Sequence, residues 1–163
     1  MAQAATGVDR QAVSDATVPP IASWISYAGA VPFVVGAAMM VSEHEADWWN
    51  MALTAYGAII LSFLGGVHWG LCIAQGQVEP RRLLVGALPA LVGWLSVLAA
   101  GRTGLQMLLA AFALMLAYDR TLAYSGAVPA WYARLRLPVS LIVVVSLAVA
   151  SWGSPPTPPW FDS

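Results

Sequence analysis

Five stretches of this chain are apolar for long enough to cross a bilayer, and no segment between them is long enough to build a core of its own. A helix rises ~1.5 Å per residue, so about 20 apolar residues match ~30 Å of hydrocarbon. The stretches run from about Trp24 to Val41, Leu53 to Ala74, Leu83 to Ala100, Leu105 to Ala123 and Leu137 to Trp152. Hydrocarbon offers no partner to an open backbone N–H or C=O, so spanning segments are helices or closed barrels. Four of the five lack the alternation of barrel strands. The fifth is rich in Val and Ile, but its length and its Pro138 start suit a helix. The expected fold is all-α and integral to the membrane: a compact bundle of five transmembrane helices, with sequential neighbours antiparallel because the loops are short.

Composition narrows the alternatives. Charged residues make up 9% of the chain, against roughly 25% in soluble domains. Such a chain cannot clothe a globular surface in charge. Its apolar content of 60% argues against disorder. A net charge of −1 with no basic run argues against nucleic acid. A single cysteine, Cys72, cannot close an intrachain disulfide. Residues 1–20 are polar and end in Pro19-Pro20, which reads as a flexible tail. That tail has neither the arginines of a mitochondrial presequence nor the apolar run of a secretory signal. Residues 154–163 hold four prolines and then Trp160-Phe161, which reads as an extended, polyproline-like tail.

Orientation follows from the arginines. With five spans, the N-terminus shares a side with the second-to-third and fourth-to-fifth loops. That side carries Arg10, Arg81, Arg82, Arg120, Arg134 and Arg136, and the other carries only Arg102. The positive-inside rule makes the first side cytoplasmic, or the equivalent matrix side, and leaves the C-terminus external. The acidic run Glu43-His44-Glu45-Ala46-Asp47 is then external too. It reads as a solvated loop, with weak divalent-cation binding as the functional alternative.

Helices in lipid associate through close contact between small residues. The second span carries Ala58, Ser62, Gly66 and Gly70 at spacing four, with Gly57 and Gly65 on a track beside them. The third carries Gly86, Pro89 and Gly93, and the first carries Gly29, Pro32 and Gly36. These three spans are expected to form the tight centre of the bundle. Pro32 and Pro89 should kink their helices, freeing the carbonyls of Ala28 and Val85.

His68 is the most conspicuous polar residue. An ionisable side chain within a membrane span is expensive and so a functional candidate. His68 can relay protons, hold a metal or haem, or simply donate to a carbonyl freed by Pro32 or Pro89. No cofactor is predicted. One intramembrane histidine offers a haem only a lone axial ligand, and His68 with Cys72 at i+4 does not close a zinc site. Gln75 continues the same face, and Asp119 belongs to the same half of the membrane. Arg120 is read as snorkelling and Asp119 as paired with a basic loop residue, with a proton path from Asp119 to His68 as the alternative. The segment from Pro129 to Arg136, with Trp131, Tyr132, Arg134 and Arg136, is expected to lie along the inner surface against anionic headgroups. Trp160 and Phe161 are read as an interfacial anchor or a hook for a partner. There is no catalytic serine or cysteine motif and no phosphate-binding glycine loop.

Four stretches carry a resemblance. The run Tyr56-Gly-Ala-Ile-Ile-Leu-Ser-Phe-Leu-Gly-Gly-Val-His-Trp-Gly70, Gly29-Ala-Val-Pro-Phe33 before it, and Asp119-Arg120 with Gly126-Ala-Val-Pro-Ala-Trp-Tyr-Ala-Arg-Leu-Arg136 after it, form one pattern. The pattern resembles an uncharacterised bacterial inner-membrane family, a domain of unknown function, that also includes the animal mitochondrial transmembrane protein 69. The resemblance spans roughly Ile21 to Val149. It implies a multi-helix protein of the bacterial or mitochondrial inner membrane and supplies no established activity.

Two functions fit these residues. As a small accessory or assembly subunit of a larger membrane complex, respiratory or photosynthetic, the chain needs little beyond packed helices and exposed tails. As a proton, ion or solute transporter it would use His68, Cys72, Gln75 and Asp119 as a half-channel, and would need to be a homo-oligomer. The scarcity of intramembrane polar groups favours the first. Membrane lipids are partners in either case.

Overall fold

The computed structural model describes residues 17–42, 45–74, 76 and 80–154. Gln75, Trp160, Phe161, residues 43–44 and most of both tails lie outside the described residues. Five helices follow one another: α1 Pro20–Val41, α2 Ala46–Ala74, α3 Pro80–Ala99, α4 Gly101–Tyr124 and α5 Ala130–Gly153. Each is long and apolar enough to span a membrane. The described residues include no strand.

The helices reach beyond the apolar runs because polar first turns extend them. α2 begins on Ala46-Asp47, where a carboxylate favours the exposed N–H groups of a helix start. α5 departs further from expectation. The segment 130–136 does not form a separate stretch along the membrane surface. It makes the first two turns of α5, and Pro138 stands inside the helix rather than at its start. The helix begins instead after Pro129, whose φ of −60° suits its place just before the first turn.

The hydrophobic core also differs from expectation. Its buried side chains come from α1, α2, α4 and α5: Phe33, Met40, Leu61, Leu105, Leu108 and Leu147 have no measurable exposure. The ring of Phe33 lies 5.2 Å from Tyr56 and meets Phe112 edge-on at 5.6 Å. α1 packs chiefly against α5, not against α2 and α3 as the small residues suggest. α3 contributes a narrow buried stripe of Gly86, Pro89, Gly93 and Ser96, and it packs most closely on α2. Leu84, Leu88, Leu91 and Trp94 of α3 face outward.

The α2–α3 seam shows which glycines need to be glycine. A Cβ on Gly65 would strike the backbone oxygen of Gly86, and one on Gly93 would come within 3.1 Å of the Ala58 backbone. A Cβ on Gly57 would press the end of Leu108. Gly66 and Gly70 are a correction to the sequence reading: a Cβ there meets nothing within 4 Å, and both are exposed. They sit a step around the helix from Gly65, on the side turned from the bundle. Ser62 is half-buried and donates to Ala58 O of its own helix at 2.8 Å.

Pro32 and Pro89 stand inside continuous helices. Carbonyls adjoining or near the freed ones accept bonds from other helices. Tyr56 donates to Gly29 O at 2.9 Å, and the Trp69 indole donates to Leu83 O at 2.8 Å. A single residue, Ala100, joins α3 to α4. It adopts φ 46° and ψ −174°, a region that normally only glycine enters.

Candidate functional site

Buried polar groups collect where α2 and α4 end and α3 and α5 begin. α2 buries one stripe, Leu53, Gly57, Leu61, Leu64, His68 and Cys72, at the three- and four-residue spacing of a helix face. The buried face of α2 carries Asn50 and Thr54 near its start, is apolar from Gly57 to Gly65, and presents His68 in its last two turns. α4 does the same with Leu105, Leu108, Phe112, Met115 and Asp119. The two helices pack with those ends together, so His68 and Asp119 meet between them. Each is only 4% exposed.

Arg136 completes the cluster from α5. Its Nε and Nη2 each lie 2.8 Å from Asp119 Oδ2. His68 Nε2 lies 3.2 Å from Asp119 Oδ1 and 3.1 Å from Met115 Sδ. A carboxylate and a thioether only accept, so Nε2 must carry a hydrogen and act as donor. That hydrogen is shared between two acceptors, and Oδ1 has no well-directed donor of its own. Tyr118 packs its ring edge-on to the imidazole at 5.1 Å. The result is a three-helix tie built on an ion pair that is mostly out of water.

The partners differ from the sequence reading in two ways. His68 meets the Asp119 carboxylate and Met115, not a carbonyl freed by Pro32 or Pro89. Arg136 turns inward to Asp119 and away from the headgroups, because segment 130–136 is helical and places it on the face toward α4. Arg134 remains exposed, and Trp131 and Tyr132 are half-buried against the bundle. Cys72 is buried. With His68, Arg82, Tyr118 and Ala127 it lines a cavity of about 20 Å³, room for about one water. Among the described residues no three His, Cys, Asp or Glu side chains converge as a metal set.

The opposite end is tied by different groups. Ser154, which caps α5, accepts from Asn50 Nδ2 at 2.9 Å and donates to Ala150 O at 3.1 Å. Its carbonyl accepts from Arg102 Nε at 3.2 Å and Nη2 at 2.7 Å. Sequence reasoning missed Asn50, Arg102 and Ser154 as a group. The available signal was a polar residue near the start of α2 and another at the last residue before a proline run.

The fold and this site define a small polytopic membrane protein, a five-helix bundle knotted at one end by a buried ion pair. The chain belongs to the family described as "Protein of unknown function (DUF3429)", whose model matches residues 18–152. It is 34% identical over 143 residues to Transmembrane protein 69 of Xenopus tropicalis, covering 85% of this chain and 56% of that protein. It is 27% identical over 135 residues to Transmembrane protein 69 of Mus musculus, covering 80% and 55%. The chain thus spans a little over half the length of these curated relatives. The resemblance read from the Gly65–Gly70 run points to the same relatives. No solved structure matches.

Proposed function

We propose that the chain is a small accessory or assembly subunit of a larger membrane complex, seated in the bacterial inner membrane with its N-terminus cytoplasmic. A mitochondrial inner membrane is the alternative. One observation carries this reading. The middle of the bundle is filled by Phe33, Leu61, Leu105 and Leu108, all without measurable exposure. A single protomer so filled has no open path for a solute, which supports the reading of a scaffold. Large apolar side chains on the outer faces of α2 and α3, among them Ile59, Phe63, Leu91 and Trp94, offer a surface to lipid or to neighbouring subunits. The orientation is supported by Arg81, Arg82, Arg120 and Arg134, which share the His68 end.

The test is purification of the tagged protein from its own host in mild detergent, with mass spectrometry of what accompanies it. A stoichiometric complex is expected. A homo-oligomer free of other proteins would overturn the accessory role.

Proton transfer is the second reading, favoured by the 3.2 Å approach of His68 to Asp119. It predicts proton flux in liposomes that H68A abolishes. Equal flux in mutant and wild type would remove His68 from any such path.

A further inference from the structure

At the end of the bundle away from His68, the last turns of α1 and α5 and the first turns of α2 and α4 border an open cleft of about 910 Å³. That lies near the top of the ~300–1,000 Å³ range of small-ligand sites. Val41, Ala148, Val149 and Trp152 form an apolar wall, and among the described residues the charged ones at the cleft are Asp47 and Arg102. Among the described residues these two make no ion pair, with each other or with anything else. The Arg102 guanidinium spends Nε and Nη2 on the Ser154 carbonyl, which leaves Nη1 and its hydrogens unclaimed. Val41 is 59% exposed and Trp152 88%, so the wall runs out onto the lipid-facing surface.

A cation and an anion that share a cleft without pairing are the complement of a headgroup carrying both charges. We propose that this cleft binds a zwitterionic phospholipid with a primary ammonium group. Its phosphate accepts from Arg102, its ammonium donates to Asp47, and an acyl chain lies along Val41, Ala148, Val149 and Trp152. Guanidinium suits phosphate because its planar N–H groups match the phosphate oxygens. An anionic headgroup satisfies Arg102 but meets repulsion from Asp47. A soluble zwitterion has nothing to lay against the apolar wall. Trp152 lies in the last turn of α5, and indole rings at the ends of membrane spans flank headgroups.

The test uses the full chain in mild detergent with an equimolar mixture of phosphatidylethanolamine, phosphatidylcholine and phosphatidylglycerol, read by native mass spectrometry. One retained phosphatidylethanolamine is expected. R102Q lowers its retention roughly tenfold, the loss of one charge-assisted contact. D47N keeps retention of total lipid but erases the preference for phosphatidylethanolamine over phosphatidylglycerol. Because Arg102 also ties Ser154, A148W is the second variant. It fills the cleft from an exposed position, breaks no hydrogen bond, and should lose the adduct as R102Q does. Equal retention of all three lipids by the wild type, preference for phosphatidylglycerol, or unchanged retention in both R102Q and A148W would overturn the site.

Discussion

The two ends of this bundle hold helices together by different chemistry. At one end a carboxylate, a guanidinium and an imidazole face each other between α2, α4 and α5, nearly out of contact with solvent. At the other, Asn50 and Arg102 meet the cap of α5 through a hydroxyl and a backbone carbonyl. The first tie is a matched set of charges. If one member goes, the others are stranded in a low-dielectric interior. The second tie joins neutral groups, Asn50 and the Ser154 hydroxyl, equally buried, and a half-buried Arg102, so losing Asn50 leaves no charge behind without its partner. The lesson is that the first end is brittle and specific, while the second is forgiving.

The sharpest way to break the comparison is Asp119→Ala. It strands Arg136 and leaves His68 with Met115 alone, and should cost about 3–5 kcal/mol in the unfolding free energy measured in mixed micelles. Replacing both ion-pair partners, D119L with R136L, should recover most of that loss, because the expense lies in the unpaired charge. If the single and double variants lose equally, the cluster is not an ion-pair tie. Next comes the α2–α3 seam. Gly65→Val must push the Gly86 backbone away and should cost about 3 kcal/mol, the upper end of overpacking. Gly66→Ala and Gly70→Ala should leave the same unfolding midpoint unchanged. A deficit in G66A as large as that in G65V would show that the outer face is also packed. At the forgiving end, Asn50→Ala should cost about 0.6 kcal/mol, typical of a membrane-embedded hydrogen bond. A cost rivalling that of D119A would erase the contrast between the ends. The smallest effect is expected at the α3–α4 turn, where Ala100→Gly relieves a disfavoured backbone conformation and should stabilise by roughly 0.5 kcal/mol. Destabilisation would place Ala100 in an ordinary conformation.

Much of the architecture was legible because the bilayer enforces it. Length and apolarity alone locate five helices, since a shorter or more polar segment could not cross. What hydropathy does not carry is rotation. Gly65 and Gly66 are neighbours in sequence and equally small, yet only Gly65 faces α3. The choice depends on which face of α2 is already committed to Leu61, Leu64 and His68. That Asp119 pairs with a basic residue after the fourth span was legible, but that this residue is Arg136, on a helix face inside the bundle, was hidden for a related reason. Pro138 reads as a helix start, which assigns Arg136 to a surface segment. Neighbouring helices tolerate a proline inside a membrane helix, so the chain before it can be helical too. Once residues 130–136 are helical, Arg136 falls on the inner face and meets the buried carboxylate of Asp119. His68 could be singled out from its position, with Asp119 as the alternative partner, but Met115 could not, because it becomes a neighbour only through the packing of α2 on α4.

The one-residue link at Ala100 bears on how the protein is made. Two helices joined so tightly have no slack to enter the bilayer one after the other, so α3 and α4 insert as a single hairpin. In the proposed orientation the tip of that hairpin carries Arg102 across the membrane during synthesis, ahead of α5. A lone arginine at the centre of a membrane helix is opposed by roughly 2.5–3.5 kcal/mol. The Ser154 carbonyl that finally receives it belongs to the end of α5, so the apolar bulk of the hairpin is expected to carry the charge across before that partner arrives.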